Sequence, residues 1–239
     1  MSVVVYGSAN VDLVVTVDRH PAPGETVAAL GAVRRQAGGK GLNQAIGSRR
    51  AGGHPTAFIG AVGADAEAEL VRQTLQQAGV EAVLRRSATL ATGFAIVTVD
   101  RSAENEIVVV AGANAALDGV TSAEASLLKS ANVAVFQGET PQAGFRAAAS
   151  IARGVGARIL LNPSPVWALT DEEIALVDLL VVNETEARLV ADQLGIAAGQ
   201  IGVEAVWCAL GSRFPAVVLT RGSRGALWGA GGGPPALMV

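Results

Sequence analysis

The sequence predicts an α/β fold in which helices cover a mostly parallel β-sheet. Short apolar runs of strand length alternate with longer helical patterns along the 239 residues. These runs are unbroken, as expected for parallel strands that are buried on both faces. The chain is 50% hydrophobic and only 16% charged, whereas about 25% of the residues in an average domain are charged. A sizeable buried core is therefore expected.

Six apolar runs are predicted as strands of this sheet, at residues 3–6, 56–59, 132–136, 158–161, 179–182 and 216–219. Within residues 65–78 the apolar side chains recur at helical spacing and form one stripe, which predicts a helix that ends at Gly79. Pro141 can occupy the first turn of a helix over residues 142–153. Thr170 is a good N-cap for another helix, whose first turn holds the three acids that follow it. Residues 229–235 are predicted as a Gly/Pro loop.

Two regions are β-like without an intervening helix. Residues 11–17 are followed by residues 25–33, and residues 92–99 are joined to residues 105–110 by a predicted hairpin connection. The second pair alternates apolar and polar positions, which predicts a sheet with one face exposed. We interpret residues 11–37 and 92–110 as a small β-lid inserted into a single domain spanning residues 1–239. An exposed apolar face on this lid predicts a homodimer.

Composition excludes several function classes. The net charge of -3 removes the electrostatic case for a nucleic-acid partner. A single cysteine, Cys208, rules out a disulfide framework and fits a reducing compartment, and with only His20 and His54 it cannot form a Cys/His zinc centre. No apolar run reaches the ~18 residues of a membrane span, and no basic leader is present. We expect a cytoplasmic protein.

Residues 37–44 read AGGKGLNQ, a glycine-rich segment that matches neither common nucleotide motif. Gly41 stands where a P-loop needs Ser or Thr, and Gln44 stands where a dinucleotide fingerprint needs its third glycine. One interpretation is a glycine turn that opens a helix over residues 42–50. The other is a ligand site in which backbone N–H groups approach a bound molecule and Lys40 and Asn43 donate hydrogen bonds.

Polar residues follow several predicted strands. Asn10 and Asp12 come after the first strand and Glu139 after the strand at 132–136. Ligands of open α/β sheets bind beyond the carboxyl ends of the strands. Asp12 is therefore either a turn-capping carboxylate or an acceptor for two neighbouring sugar hydroxyls.

Two later segments have the same ambiguity. Asn183 and Glu186 form either a helix capping box or an amide and a carboxylate near magnesium and phosphate oxygens. Residues 220–225, TRGSRG, form either a hairpin or a turn whose glycines admit a nucleotide.

Taken together, these segments resemble the ribokinase group of the PfkB sugar-kinase family over essentially the whole chain. The matching segments, in chain order, are GSANVD at 7–12, GGKGLNQA at 38–45, GANAAL at 112–117, NPSP at 162–165, NETE at 183–186 and TRGSRG at 220–225. The second of these is similar to the first signature of the family.

The resemblance implies a ribokinase-like three-layer sandwich whose lid closes over the sugar and forms the dimer contact. It implies these sugar-binding residues: Asn10, Asp12, Gly39, Lys40, Gly41, Asn43 and Glu139. It implies these nucleotide-binding residues: Asn183, Thr220, Gly222, Ser223 and Gly225. ATP would be the co-substrate, Glu186 would hold Mg²⁺ through water, and the complete protein would also bind K⁺.

One family feature is not found in the sequence. The second signature, Asp-Thr-x-Gly-Ala-Gly-Asp, supplies the catalytic base and would come after Val239, so we expect that the C-terminal portion is missing. We therefore expect an ATP-dependent sugar kinase that in its complete form converts D-ribose to D-ribose 5-phosphate, with negligible turnover by these 239 residues. The alternatives are a kinase for fructose, deoxyribose or adenosine, and a non-catalytic sugar-binding remnant.

Overall fold

Two β-sheets and the helices around the larger one make up the described part of the protein. The computed structural model describes residues 1–230 and 236–238. The strands are β1 (Val3–Tyr6), β2 (Asn10–Thr16), β3 (Arg34–Gly38), β4 (Thr56–Val62), β5 (Glu81–Arg86), β6 (Gly93–Val99), β7 (Asn105–Val110), β8 (Val133–Gln137), β9 (Arg158–Asn162), β10 (Leu179–Asn183), β11 (Ala216–Thr220), β12 (Ala226–Ala230) and β13 (Ala236–Met238). The α-helices are α1 (Lys40–Gly52), α2 (Ala66–Gln77), α3 (Ser122–Lys129), α4 (Gln142–Gly154), α5 (Asp171–Leu176), α6 (Glu184–Gln193) and α7 (Val203–Gly211).

The larger sheet has nine strands within the described residues, in the order β13-β12-β11-β10-β9-β8-β1-β4-β5. The strands from β11 to β5 are parallel, and β12 and β13 are antiparallel. Five of the six predicted runs lie within strands of this sheet, and the sixth, residues 132–136, overlaps β8 and begins one residue before it. β12 extends through Ala230, and the rest of the predicted Gly/Pro loop, residues 231–235, lies outside the described residues.

Hydrophobic cores lie on both faces of this sheet. In β1, Val3 and Val5 belong to the core cluster that includes residues of α1 and α2, whereas Val4 and Tyr6 belong to the core cluster of the opposite face, where the ring of Tyr6 lies 6.2 Å from that of Phe136. Because successive side chains of a strand point to opposite faces, a central strand covered on both sides must be apolar throughout. The three-layer α/β sandwich predicted from the sequence is confirmed.

The predicted helix boundaries agree with the structure to within a few residues. The side chain of Asp65 caps α2 by accepting a 3.0 Å hydrogen bond from the Ala68 amide, and Gly79 follows the helix at φ 68°. Thr170 caps α5 as predicted. The prediction for Pro141 was wrong by one position, because it is the N-cap of α4 rather than part of its first turn. Among the described helices, none combines the length and apolar character that crossing a membrane requires.

A separate four-stranded sheet, which we call the lid, has the order β3-β2-β6-β7 in the described residues. The predicted hairpin from β6 to β7 is present, closed by a 3.0 Å hydrogen bond from the Asp100 amide to the Glu104 carbonyl. The predicted strand at residues 25–33 was wrong: that stretch makes one isolated bridge, Val17 to Ala29, and β2 pairs instead with β3 and β6.

Both β3 and the unpredicted β5 lie at sheet edges. β3 begins with exposed Arg34, Arg35 and Gln36, and β5 ends with Arg85 and Arg86. An edge strand pairs on one side only and is in contact with water, so charged residues are tolerated there and the apolar pattern that marks central strands is lost. This is why the sequence pattern did not locate them.

Candidate active site

A cavity of about 330 Å³ lies at the carboxyl ends of β1 and β8, beneath the lid. The polar side chains that line it include Asn10, Asn114 and Glu139. The apolar part of its lining consists of Val109, Ala111, Ala115, Pro141 and Pro165. A mostly apolar wall with a few polar groups is the usual composition of a small-molecule site.

Glu139 bonds to the start of the glycine-rich helix. Its Oε2 accepts a 2.6 Å hydrogen bond from Ser8 Oγ and a 3.0 Å bond from the Lys40 backbone amide. Ser8 Oγ in turn accepts a 3.2 Å bond from the Gly41 amide. The first turn of α1 contains no acidic residue, and its N-cap, Gly39, has no side chain to accept a bond. The carboxylate of Glu139, two residues after the end of β8, therefore fills the role of a cap.

Two glycines allow this close approach of α1 to β1. Gly39 has φ 92°, in the left-handed region that side chains disfavour. A Cβ on Gly41 would lie 2.6 Å from the Ser8 amide nitrogen and 2.7 Å from the Gly7 carbonyl carbon. A side chain at position 41 would push the start of α1 away from the strand end, and with it the amides that contact Ser8 and Glu139.

Asp12 lies on the cavity side of the lid. Across β2, β6 and β7 it stands in one row with Ala95 and Val109, and Val109 lines the cavity. A Cβ at Gly38 would collide with the Asp12 carboxylate. Burial, and secondly the negative charge of Glu139, raise the pKa of the Asp12 carboxyl. Within the described residues Asp12 makes no ion pair, so its oxygens remain available to hydroxyl donors.

Asn10 and Asn114 form a buried amide pair at the same edge, with exposed fractions of 2% and 1%. Asn114 Nδ2 donates to Asn10 Oδ1 at 2.8 Å, and Asn114 Oδ1 accepts from the Ala9 amide at 2.9 Å. A Cβ at Gly93 would collide with both amide groups. The bonds fix the orientation of Asn10, and its Nδ2 makes no hydrogen bond within the described part of the chain.

Lys40 and Asn43 lie on α1, near the cavity but outside its lining. The Lys40 side chain is half-buried and makes no ion pair with the described residues. Asn43 is exposed, and its backbone amide donates to the Gly39 carbonyl at 3.0 Å. At this end of α1, contact with Glu139 is made by the backbone of Lys40.

A second cavity, of about 220 Å³, lies at the carboxyl ends of β10 and β11. Its lining consists of Asn183, Glu184, Thr185, Thr220, Arg221, Gly222 and Arg224. The predicted nucleotide-side residues Ser223 and Gly225 lie in the turn beside it, outside the lining. Residues 220–225, TRGSRG, connect the antiparallel strands β11 and β12, so the hairpin interpretation is correct. The same turn also forms part of the cavity wall, so a role in nucleotide binding stays a prediction.

Asn183 and Glu186 form a reciprocal capping box at the start of α6. Asn183 Oδ1 accepts from the Glu186 amide at 2.8 Å, and the Asn183 amide donates to Glu186 Oε2 at 3.0 Å. The capping interpretation is therefore confirmed. Glu186 Oε1 takes no part in the box. No group of three or more His, Cys, Asp or Glu side chains in residues 1–230 and 236–238 is arranged to hold a metal ion.

The comparison with known sequences agrees with these observations. The sequence profile described as pfkB family carbohydrate kinase matches residues 1–234. A ribokinase of Haemophilus influenzae is 34% identical over 224 residues, which cover 92% of this chain and 72% of the relative. A ribokinase of Staphylococcus aureus is 36% identical over 192 residues, covering 79% of this chain and 62% of the relative. The chain belongs to the PfkB carbohydrate kinase family.

The fold of this PfkB family member is also that of solved ribokinases. The structure of Arabidopsis thaliana ribokinase complexed with ribose and ATP superimposes with a TM-score of 0.79 at 26% sequence identity, covering 99% of this chain and 77% of the other. The predicted ribokinase-like fold class is confirmed, and the predicted class of enzyme, a carbohydrate phosphotransferase, is that of the family.

The structure brings together most of the predicted sugar-side residues of this PfkB member. Asn10, Asp12, Gly39, Gly41 and Glu139 all lie at the β1 and β8 end of the sheet.

No role was predicted for Ser8, Asn114 or Glu184, and Arg221 and Arg224 were included only as part of the TRGSRG turn at residues 220–225. Each of them lies inside a segment that carries the family resemblance, so membership of those segments was the available signal. Their contacts could not be predicted, because the partner residues are remote in the sequence.

Proposed function

We propose that this chain is the sugar-binding body and part of the nucleotide-binding body of an ATP-dependent sugar kinase. In its complete form the enzyme would transfer the γ-phosphoryl group of ATP to the 5-hydroxyl of D-ribose, giving D-ribose 5-phosphate and ADP. The observation that carries the proposal is that Asn10 and Glu139 line one small cavity beneath the lid, while Asp12, on the cavity side of the lid, lies close enough to Glu139 for that charge to raise its pKa.

The polar groups of this cavity suit a polyol. A carboxylate accepts hydrogen bonds from two adjacent hydroxyls, and the amide of Asn10 both donates and accepts. Burial strengthens these bonds because water competes less for the donors. The lid residue Val109 covers the cavity from above, and in a kinase such a cover keeps water away from the phosphoryl group. Asp12, Asn10 and Glu139 would then orient the sugar.

Three observations support ribose as the sugar. The relatives named above are ribokinases, and the Arabidopsis structure contains ribose and ATP. The cavity, at about 330 Å³, lies at the small end of the range of about 300–1,000 Å³ for ligand sites. Among the described residues, none of those that line the cavity has an aromatic side chain on which a nucleobase could stack. Adenosine is therefore disfavoured. Ribose is to be distinguished from fructose and deoxyribose by the binding experiment described below.

On the nucleotide side, Asn183, Thr220 and Gly222 would contact ATP from the lining of the second cavity, and Ser223 and Gly225 from the turn beside it. Mg²⁺ usually binds through one or two carboxylates, several waters and the substrate phosphates. The free Oε1 of Glu186 fits a water-mediated contact of that kind. When bound, Mg²⁺ would neutralise negative charge on the phosphates. No residue of the sequence is proposed as the catalytic base, because the second family signature is not found in it.

Four further sequence predictions are kept as proposals. They are a single domain with lid segments at 11–37 and 92–110, a cytoplasmic location, K⁺ binding by the complete protein, and a homodimer formed through the lid. The last is supported by the outer face of the lid, where Ile96 and Val108 are paired across β6 and β7 and are 44% and 63% exposed.

Calorimetric titration of the 239-residue protein with D-ribose, fructose, deoxyribose and adenosine tests the proposal. Ribose is expected to bind most tightly. Asp12→Asn should weaken ribose binding by about 1.5–3 kcal/mol, roughly 10- to 150-fold, because a hydrogen bond to a charged acceptor is lost. Asp118→Asn, which changes an exposed acid outside the cavity, is the control and should leave the affinity unchanged. Adenosine binding more tightly than ribose, or an unaltered affinity in Asp12→Asn, would contradict the proposal.

A further inference from the structure

Two arginines of the turn between β11 and β12 converge on one carboxylate in the second cavity. Arg221 Nε and Arg224 Nη2 both bond to Oε1 of Glu184, at 3.1 and 2.6 Å. Arg221 also pairs with Glu204 through Nη1 at 3.3 Å. The Arg221 side chain is only 15% exposed, whereas that of Arg224 is 61% exposed. Arg221 is therefore largely buried and paired with two carboxylates, whereas Arg224 is largely exposed and paired with Glu184.

The arrangement around Glu184 Oε1 is one that a phosphate oxygen would also adopt. Guanidinium groups recognise carboxylates and phosphates through the same charge-assisted N–H···O bonds. The two arginines and the carboxylates of Glu184 and Glu204 sum to zero formal charge, two positive and two negative. A further anion therefore gains little in this cavity unless a carboxylate leaves its arginine.

The turn has room for such an exchange. Gly222, between the two arginines, has φ 58°, and a Cβ built on it would meet no atom within 4 Å. Glu184, Arg221 and Arg224 all line the same cavity of about 220 Å³. A ligand that enters this cavity therefore meets the ion pairs directly.

We propose that Glu184 occupies the place of a phosphate oxygen and that the phosphate chain of the nucleotide displaces it from Arg224. Arg224 then contacts the phosphates, while Arg221 stays anchored by Glu204. The exchange favours a polyphosphate, since one phosphate group replaces the carboxylate and the remaining groups add contacts. This inference rests on the proposed function, because it assumes that the second cavity binds ATP.

Titrations of ATP, AMP and adenosine into the wild type and two variants test the exchange. Arg224→Gln should weaken ATP binding about 10-fold and leave adenosine binding unchanged, because only the phosphate contact is lost. Glu184→Gln should strengthen ATP binding about 3- to 10-fold, because the competing anion is gone, with a smaller gain for AMP.

The pair Asp171 and Arg213 offers a matched control. Asp171, like Glu184, is an acid in the first turn of a helix and is paired with an arginine, but it lies outside the cavity. Asp171→Asn and Arg213→Gln should leave ATP affinity unchanged. The inference is overturned if Glu184→Gln fails to strengthen ATP binding, or if Arg224→Gln behaves like Arg213→Gln.

Inorganic tripolyphosphate separates this inference from the proposed function. If tripolyphosphate binds with the expected response to both variants but ATP binds no more tightly than tripolyphosphate, the exchange stands and the nucleotide assignment fails. If neither ligand binds the wild type, both fail.

Discussion

The most informative single residue is Asp12, because its position has a cost in the absence of ligand. Burial and the neighbouring charge of Glu139 both raise the pKa of this carboxyl above its ordinary value. The unfolded chain holds the proton less tightly than the folded protein. Ionised Asp12 therefore destabilises the folded protein, and this destabilisation develops as pH rises from the ordinary value through the raised pKa. We attribute this cost to a half-buried carboxylate that has no ion-pair partner among the described residues and that would accept hydrogen bonds from a sugar.

This cost predicts that Asp12→Asn stabilises the ligand-free protein at neutral pH. The neutral amide has no like charge to face, so the midpoint of thermal unfolding should rise. At a pH below the ordinary aspartate range, Asp12 is protonated in both states and the gain should shrink. Thermal unfolding of both proteins across this pH range measures the effect, with Asp118→Asn as control. A lower midpoint for Asp12→Asn at neutral pH would contradict the assignment.

At the scale of elements, a chain of buried and half-buried side-chain amides connects α1 to the carboxyl ends of three parallel strands. Gln137 Nε2 on β8 donates to Gln44 Oε1 at 2.8 Å, and Gln44 Nε2 donates to Asn162 Oδ1 on β9 at 3.2 Å. Asn162 Nδ2 then donates to the carbonyl of Val181 on β10 at 2.9 Å. Gln44, at the position where a dinucleotide fingerprint would need its third glycine, therefore connects α1 to the sheet.

Replacing Gln44 with leucine should destabilise the protein. The substitution leaves Gln137 Nε2 and Asn162 Oδ1 without their partner, and a buried unsatisfied polar group costs about 1–3 kcal/mol. The free energy of unfolding, measured by chemical denaturation, should fall by an amount in this range. Gln77→Leu, at an exposed position of α2, should change it by less than about 0.5 kcal/mol. Equal losses in the two variants would show that the amide chain contributes nothing particular.

At the scale of the whole molecule, the lid presents two faces with different roles. The row of Asp12, Ala95 and Val109 is on the cavity side, and the adjacent row of Leu13, Ile96 and Val108 is on the other side. Period-two alternation therefore places polar site chemistry and an exposed apolar face on the same strands. β7 is also an edge strand, which can pair with another chain.

We predict that the protein is a dimer in solution and that Val108→Lys shifts it to monomer, since a buried charge would be left unpaired at the contact. Size-exclusion chromatography with light scattering at micromolar concentrations measures this. Val155→Lys is the matched control, because Val155 is similarly exposed, at 47%, and lies after α4, away from the lid. A wild-type protein that is monomeric at these concentrations would rule the dimer out.

The amino-acid pattern by itself determined the fold class, the central strands and most of the helix ends. A strand covered on both faces must be apolar, and a cap such as Asp65 or Thr170 acts on amides two or three positions away, so both signals are local. The edge strands β3 and β5 carry no such signal. The family segments also indicated the general region of the site.

Only the tertiary structure decided which groups meet in that region. Ser8 bonds to a glutamate 131 positions away, and the Lys40 amide bonds to the same carboxylate across 99 positions. The pairing of Asn10 with Asn114 and of Glu184 with two arginines is likewise long-range. Such contacts follow from the order of strands in the sheet. That order is set by how the whole core packs, and no short stretch of sequence records it.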